Sequence, residues 1–258
     1  MIQLRLAGIK TVELIPSNFE SLYHTLKIQD TVFHVVVMKK IEGHRIDEKN
    51  ISEEIVQKWA RVLSKLHRNS DCYSESSGRA MWNQDSIFLK AKSAINLSTT
   101  KAKNDFLQIV EQLNKHDNKN NFGLIHGDLH QGNFFIKNQE IIIFDFDDAN
   151  FHWHFYDLVI PIISIYMMWE VKEEIEKKQK LIHVFIESYF SDKNKPIHLY
   201  QDLKLFMRYR FMLIHFWLIA IRNERELSEK MKISFDESIN EQLYLFENMQ
   251  FFDFMKCE

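Results

Sequence analysis

One short segment of the chain concentrates the side chains that could carry out chemistry. It runs from His126 to Asn133 and contains Asp128, and Asp145 follows it after a short apolar run. Phosphoryl transfer needs a carboxylate that orients the attacking hydroxyl group and oxygen ligands for the magnesium ions that hold the phosphates. Asp128, Asn133 and Asp145 are residues of these types, and a hairpin would return Asp145 to the loop. Their spacing therefore favours one shared site.

The same residues have a structural alternative. Aspartate and asparagine favour turns because their side chains bond to nearby backbone groups, so a buried hydrogen-bonded turn would also use them. Gly123, Gly127 and Gly132 fall in the same stretch, where close backbone turns are needed. A structural turn does not need all three polar residues at these spacings, so a functional site is favoured.

The neighbouring polar residues are expected to support the site. Asp147 and Asp148 are equally suited to a second metal contact and to loop solvation. We expect Asp157 to anchor the segment through hydrogen bonds and His126 to position it from a semi-buried place. His67 ends a predicted helix, where a cationic side chain interacts favourably with the helix C-terminus, so a structural role is preferred for it.

The residues before this segment predict a small sheet followed by a helix. Residues 11–15 and 32–38 are rich in β-branched side chains, and residues 19–27 form a weaker candidate strand between them. Beyond Asp47 the apolar residues recur at steps of three and four, which is the spacing of one helix face. We expect an antiparallel sheet and then a helix over residues 50–68.

The remaining chain has the pattern of helices. Residues 84–96 and 102–116 predict two of them, and residues 153–256 are almost entirely helical in pattern. Residues 140–145 are a short apolar run that ends in Asp145, which is typical of a buried strand that delivers a carboxylate. With 6 glycines and 3 prolines in the whole chain, long helices should dominate.

Composition excludes several classes of protein. The chain of 258 residues is 45% hydrophobic and 27% charged, as in a globular protein, and not as in a disordered or fibrous one. Its formal net charge of −3 lacks the positive excess that binding to nucleic acid relies on. The longest apolar stretches, residues 158–169 and 211–221, are too short to cross a bilayer. Neither nucleic acid nor membrane is expected as a partner.

The cysteines and the N-terminus indicate a cytoplasmic protein. Cys72 and Cys257 lie far apart without metal-site spacing, so neither a disulfide framework nor a thiolate zinc site is expected. Residues 1–6 lack the apolar region and small-residue cleavage site of a signal peptide. We therefore expect a reducing, cytoplasmic environment.

The central motif has a known parallel. His-x-Asp-x-x-x-x-Asn followed by Asp-Phe resembles the catalytic and metal-binding loops of eukaryotic-like kinases. In the form His-Gly-Asp with Asp-Phe-Asp-Asp-Ala, it resembles most the aminoglycoside phosphotransferase family, which includes choline kinases. Residues 35–43 are similar to the last N-lobe strand and hinge of that family, and residues 155–158 to its Tyr-Asp-Leu element. Roughly residues 10–170 carry the resemblance.

This resemblance implies a fold and a reaction. The fold would be α+β and protein-kinase-like, with a reduced N-lobe and hinge over residues 1–43 and a helical C-lobe over residues 44–258. Asp128 would be the catalytic base, and Asn133 and Asp145 would be magnesium ligands. The γ-phosphoryl group of ATP would pass to a hydroxyl group of a small molecule or of a Ser/Thr side chain.

The resemblance also implies where the adenine binds. It would meet the backbone around Lys39, Lys40 and Ile41, with Phe135 and Phe144 as an apolar floor. Plain core packing is an equally good interpretation of the two phenylalanines.

One departure from the family keeps other functions open. The glycine-containing phosphate loop and the phosphate-binding lysine have no match, so completion of the nucleotide site is left to a protein partner or to a missing N-terminal segment. The first alternative is a pseudokinase that acts as a binding or regulatory module. The second is a metal-dependent hydrolase, with ligands drawn from His126, Asp128, His130, Asp145, His152 and His154.

Overall fold

The structure is a computed structural model, and it combines helices with small antiparallel sheets. It describes residues 1–18, 20–70, 73, 78–116, 121–169, 174–224 and 226–249. Cys72 and Cys257, on which the expectation about disulfides rests, lie outside these residues. Three two-stranded sheets and a larger set of helices make up the described chain, which confirms the α+β class.

The N-terminal part contains a short helix and a hairpin. Helix α1 spans Ile2–Leu6, strand β1 spans His24–Ile28 and strand β2 spans Thr31–Val35. The two strands pair antiparallel, with His24 opposite Val35, and nearly all of their residues are exposed. This hairpin lies within the residues predicted to form a small antiparallel sheet.

Residues 11–15 do not form the regular strand that was predicted. Thr11 makes an isolated parallel bridge to Ile143, and Leu14 makes an isolated antiparallel bridge to Met38. The segment thus exchanges one partner for another within four residues, and Pro16 directly after it has no backbone N–H to continue a ladder. Its backbone instead joins residues 37–39, which follow the hairpin, to Ile143 shortly before Asp145.

The helices of the C-terminal part follow the predicted pattern with shifted ends. The 50–68 prediction corresponds to α2, which begins after its N-cap Ser52, whose side chain accepts from the backbone of Ile55. The 84–96 and 102–116 predictions correspond to α3 and α4. The helix bounds are α2 Glu53–Arg68, α3 Ser86–Ser93, α4 Thr100–Asn114, α5 His154–Tyr166, α6 Ile175–Tyr189, α7 Leu199–Glu224 and α8 Glu229–Glu247.

Helix α5 lies at the centre of the helical part. It is apolar nearly all round, and all but one of its residues are buried, as expected of a helix enclosed by others. It packs against α6 on one side and α7 on another, while α7 also contacts α3, α4 and α8. Among the described residues, no helix combines the length and apolar character required to span a membrane.

Two short sheets frame the central segment. Strand β3 (Phe122–Leu124) pairs with β6 (Phe151–Trp153), and β4 (Phe134–Lys137) pairs with β5 (Glu140–Ile143). The turn between β4 and β5 consists of Asn138 and Gln139, both with positive φ, as two-residue hairpins of type I′ require. Asn133 therefore stands immediately before this hairpin, and Asp145 stands just after it.

Candidate active site

The loop between β3 and β4 brings Asp128 and Asn133 together. The side-chain amide of Asn133 donates to the backbone oxygen of Asp128 at 2.8 Å and to its carboxylate Oδ2 at 3.2 Å. The backbone of His130 donates to the carbonyl of Asp128 at 2.8 Å, and Asn133 donates to that of His130 at 3.0 Å. These bonds close the loop and bring the side chains of Asp128 and Asn133 into contact, as their spacing predicted.

Asp157 on α5 anchors the start of this loop, as predicted. Its buried carboxylate accepts the backbone N–H of His126 at 2.9 Å and that of Gly127 at 3.0 Å. The same carboxylate contacts Nε2 of His67 at 2.9 Å. Gly127 has a φ of +83°, and a Cβ there would collide with the backbone carbonyl of Asp148. Helix α5 thus fixes the start of the loop through Asp157, and the backbone of Asp148 limits the space at Gly127.

His126 and His67 are more deeply buried than the sequence indicated. Nε2 of His126 donates to the carbonyl of Phe144 at 3.1 Å, while the backbone of Asp128 donates to its Nδ1 at 3.4 Å. Burial lowers the pKa of both histidines, so both are neutral. His67 has the structural role preferred for it, because its ring bridges Asp157 and the hydroxyl of Tyr189.

The carboxylate of Asp128 is half-buried and paired with a cation. Oδ1 accepts from Arg210 on α7 at 2.8 Å, and Oδ2 lies 3.4 Å from Nε2 of His130. Burial raises the pKa of Asp128, but the hydrogen bond from His130 and the charge of Arg210 outweigh it, so the pKa lies below its ordinary value. The group is therefore ionised at neutral pH, as a base that orients a hydroxyl group must be.

Sequence reasoning missed Arg210. It directly precedes the apolar stretch of residues 211–221, and nothing in the local sequence distinguishes it from Arg208 two residues earlier. Arg210 and Asp128 are 82 residues apart, so no local spacing connects them.

Asp145 stands in a strained backbone conformation beside a cavity. Its φ is +64°, a left-handed value that costs a residue with a Cβ more than it costs glycine. The residue before it, Phe144, donates from its backbone to the carbonyl of Asn133 at 3.1 Å. Phe144, Asp145 and Asp147 line a cavity of about 800 Å³ whose other walls are mainly apolar. The left-handed turn thus places Asp145 at the wall of this cavity.

The surroundings of Asp145 carry a concentrated negative charge. Burial and neighbouring charges raise the pKa of Asp148 to about 6. The negative charges in question belong to Asp128, Asp145 and Asp147, and Arg210 only partly offsets them. Such a field favours a bound cation.

The donor set fits magnesium held jointly with phosphates. Magnesium prefers oxygen ligands and is usually bound through one or two carboxylates and the substrate phosphates. Asn133 and Asp145 offer amide and carboxylate oxygens of this kind. Within the described ranges, no three histidine, cysteine, aspartate or glutamate side chains are grouped to hold a metal ion. Two imidazoles named for the hydrolase alternative have other contacts, since His152 stacks on Tyr156 and His154 contacts Ser70.

The residues predicted to bind adenine are divided between two cavities. Lys39, Lys40 and Ile41 line a cleft of about 420 Å³, whereas Phe144 lines the larger cavity beside Asp145. The ring of Phe135 stacks on that of Phe144 with a centroid distance of 5.2 Å. The structure therefore brings the two phenylalanines together and does not bring the three hinge residues into the cavity that Asp145 lines.

Comparison with known proteins places these features in a family. The sequence model of the phosphotransferase enzyme family matches residues 7–183. Amicoumacin kinase of Bacillus subtilis (strain 168) is 23% identical over 236 residues, which are 89% of this chain and 70% of that protein.

Two solved structures have the same fold. The amicoumacin kinase hAmiN, in complex with AMP-PNP, Ca²⁺ and Ami, matches with a TM-score of 0.72 and 23% identity, over 93% of this chain and 74% of that one. The microcompartment-associated aminopropanol kinase matches with a TM-score of 0.70 and 19% identity, over 95% of this chain and 78% of that one. The expected protein-kinase-like fold is confirmed.

Proposed function

This chain belongs to the phosphotransferase enzyme family and is an ATP-dependent enzyme, and we propose that its acceptor is a small molecule carrying both a hydroxyl group and an amine. The observation that carries the proposal is the ionised Asp128 within a cluster of carboxylates. A cationic amine is attracted by such a cluster, and a hydroxyl group on the same molecule is brought to Asp128. The named acceptor of one similar structure, aminopropanol, has both groups.

We infer that Asp128 accepts the proton of the acceptor hydroxyl. As the oxygen of that hydroxyl forms its bond to the γ-phosphorus of ATP, the bond from the γ-phosphorus to the β–γ bridging oxygen breaks, and ADP leaves. The hydrogen bonds of Asp157 to the loop backbone hold Asp128 in place for this step. A positioned base of this kind contributes about 10²–10⁴-fold in rate.

Asn133 and Asp145 are the proposed ligands of magnesium. When bound with the nucleotide, the ion would neutralise charge on the phosphates and orient them. Support comes from the hard oxygen donors and from the negative field around them. Ca²⁺ occurs with AMP-PNP in the structure of amicoumacin kinase hAmiN, and that use of a divalent cation is compatible with this choice.

The adenine is proposed to lie in the cavity that Phe144 and Asp145 line, whereas the predicted hinge backbone of Lys39, Lys40 and Ile41 lines a separate cleft. Phe144 supports this position because it lines the same cavity as Asp145, and the ring of Phe135 stacks on it. A partner or further segment that completes the phosphate site stays a prediction. The pseudokinase alternative gains no support from the site, since Asp128 and Asn133 are joined and ionised Asp128 is suited to catalysis.

The test is phosphoryl transfer from ATP labelled at the γ-phosphate. The acceptors would be aminopropanol, choline, an aminoglycoside and amicoumacin, with propanol as a matched acceptor that lacks the amine. We expect transfer to at least one of the acceptors that carry an amine, and none to propanol. In Asp128→Asn, the rate of transfer should fall by about 10²–10⁴-fold. Asp192→Asn, an exposed carboxylate paired with Arg68, is the control and should behave as wild type. Full activity of Asp128→Asn would refute the role of Asp128 as the base. Transfer to propanol at the rate seen with aminopropanol would refute the proposal that the acceptor needs an amine.

A further inference from the structure

The catalytic carboxylate is held from outside its own loop by an arginine. Arg210 donates from one guanidinium nitrogen to Oδ1 of Asp128 at 2.8 Å and from another to the hydroxyl of Tyr156 at 3.1 Å. Its guanidinium carbon lies 5.7 Å from the centre of the Tyr156 ring, and its side chain is 17% exposed. A planar guanidinium bonded at two points has a fixed direction, which a lysine ammonium would not have.

The second anchor of Arg210 belongs to the helix that also holds the loop backbone. Tyr156 is buried and stacks on His152 with a centroid distance of 4.2 Å, so its hydroxyl is itself fixed. The next residue, Asp157, accepts the backbone N–H groups of His126 and Gly127. Consecutive residues of α5 therefore fix the backbone before Asp128 and, through Arg210, its side chain.

We propose that Arg210 is a positioning residue for the phosphoryl transfer. By holding Oδ1, it sets the rotation of the Asp128 side chain and leaves the carboxylate aligned toward the acceptor. Its positive charge also offsets the repulsion between Asp128 and the negative triphosphate. This role rests on the proposed function. The family match ends at residue 183, so Arg210 lies beyond the part of the chain that the match covers.

The competing interpretation is an ion pair that only stabilises the fold. A structural pair would affect thermal stability without a selective effect on turnover. A positioning residue acts on the transition state, so its loss lowers kcat while the affinity for the nucleotide is retained. A displacement of about 1 Å in a reacting group can cost about 10²-fold in rate. The separation of kcat from nucleotide binding therefore distinguishes the two roles.

The experiment compares Arg210→Met, Arg210→Lys and Tyr156→Phe with wild type. Turnover would be measured with the acceptor found in the transfer assay, together with the KM for ATP, the Kd for AMP-PNP with magnesium, and the Tm. The control is Arg208→Met, whose guanidinium lies over the ring of Phe246 on another face of α7.

We expect Arg210→Met to lower kcat by about 10²-fold and to change the Kd for AMP-PNP by less than about threefold. Arg210→Lys should recover part of the loss, because the charge is kept and the two-point hold is lost. Tyr156→Phe should lower kcat to a smaller extent, and Arg208→Met should match wild type.

Two sets of results would overturn the proposal. One is a kcat of Arg210→Met close to wild type while Asp128→Asn is inactive, which would leave the proposed function standing without this role. The other is an unchanged kcat with a raised KM for ATP. If Arg210→Met does not fold, Arg210→Lys and Tyr156→Phe decide, because wild-type kcat in both would exclude positioning. Wild-type activity of Asp128→Asn would instead refute the proposed function itself.

Discussion

The β1–β2 hairpin and the β4–β5 hairpin are built alike and buried differently. Both are antiparallel pairs of strands with a two-residue turn. On β4 and β5 the apolar side chains alternate into the core, and the buried ones are Phe134, Ile136, Ile141 and Ile143. On β1 and β2 the large apolar side chains are exposed, and they include Leu26, Ile28, Val32, Phe33 and Val35.

The two hairpins also differ in how they are attached to the rest of the chain. An isolated two-stranded hairpin is at best marginally stable in water, and the backbone bonds next to β1–β2 join residues 13–15 to residues 37–39, outside its strands. The β4–β5 hairpin is fixed by the core and delivers Asn133 and Asp145 at its two ends. The side chains proposed for metal binding are therefore held by the core, whereas the strands of the first hairpin are largely exposed.

The largest expected effect concerns the β4–β5 hairpin, which is followed by Asp145. Asp145→Ala should abolish the dependence of nucleotide binding on magnesium, because it removes a carboxylate ligand of a hard cation. Asn133→Ala should weaken this dependence less. Calorimetry of AMP-PNP binding with and without magnesium would measure both variants. An unchanged dependence in both would return the two residues to a structural role.

The anchor of the loop should have the next largest effect. Asp157→Ala leaves two backbone N–H groups and His67 without their buried acceptor, and we expect a loss of about 3–5 kcal/mol in the free energy of unfolding. Urea denaturation would measure it. Asp192→Ala is a matched control, since that carboxylate is 60% exposed, and it should cost much less. Equal losses in both variants would show that the buried contacts of Asp157 do not anchor the loop.

The two hairpins can then be compared directly through their side chains. Ile143 is fully buried at the end of β5, and Ile143→Ala should cost about 2–5 kcal/mol through lost burial and the cavity left behind. Unfolding followed by fluorescence of the buried tryptophans would report it. A cost below about 1 kcal/mol would mean that the hairpin is not embedded in the core.

The smallest effect is expected on the exposed hairpin. Val32 on β2 is 53% exposed, so Val32→Ala should change the free energy of unfolding by no more than about 0.5 kcal/mol. The same denaturation experiment measures it. A cost similar to that of Ile143→Ala would show that the face of β1–β2 is covered in solution.

Local patterns predicted the parts of the structure that depend on neighbours in sequence. The spacing of Asp128, Asn133 and Asp145 indicated a shared site, and the apolar run before Asp145 indicated its strand. Apolar periodicity located α2 because one face of that helix is buried. Each of these features is encoded within a short stretch of sequence, so local patterns are enough to predict it.

Long-range partners could not be predicted in the same way. The β-branched residues 11–15 indicated extended backbone, but propensity does not show that Thr11 and Leu14 bridge different partners. The pairing of Arg210 with Asp128 depends on how α7 packs across α5. Likewise, the position of His67 at a helix end does not show that Asp157 and Tyr189 are its hydrogen-bond partners.

At Asp145, with its left-handed backbone, a substitution that raises stability is expected to lower activity. Glycine adopts this conformation without the steric cost of a Cβ, so Asp145→Gly should relieve strain while it removes the proposed metal ligand. A selection for thermal stability alone would therefore favour glycine at this position. A library of variants selected for thermal stability should therefore keep residue 145 unchanged, because the selection would otherwise enrich inactive variants.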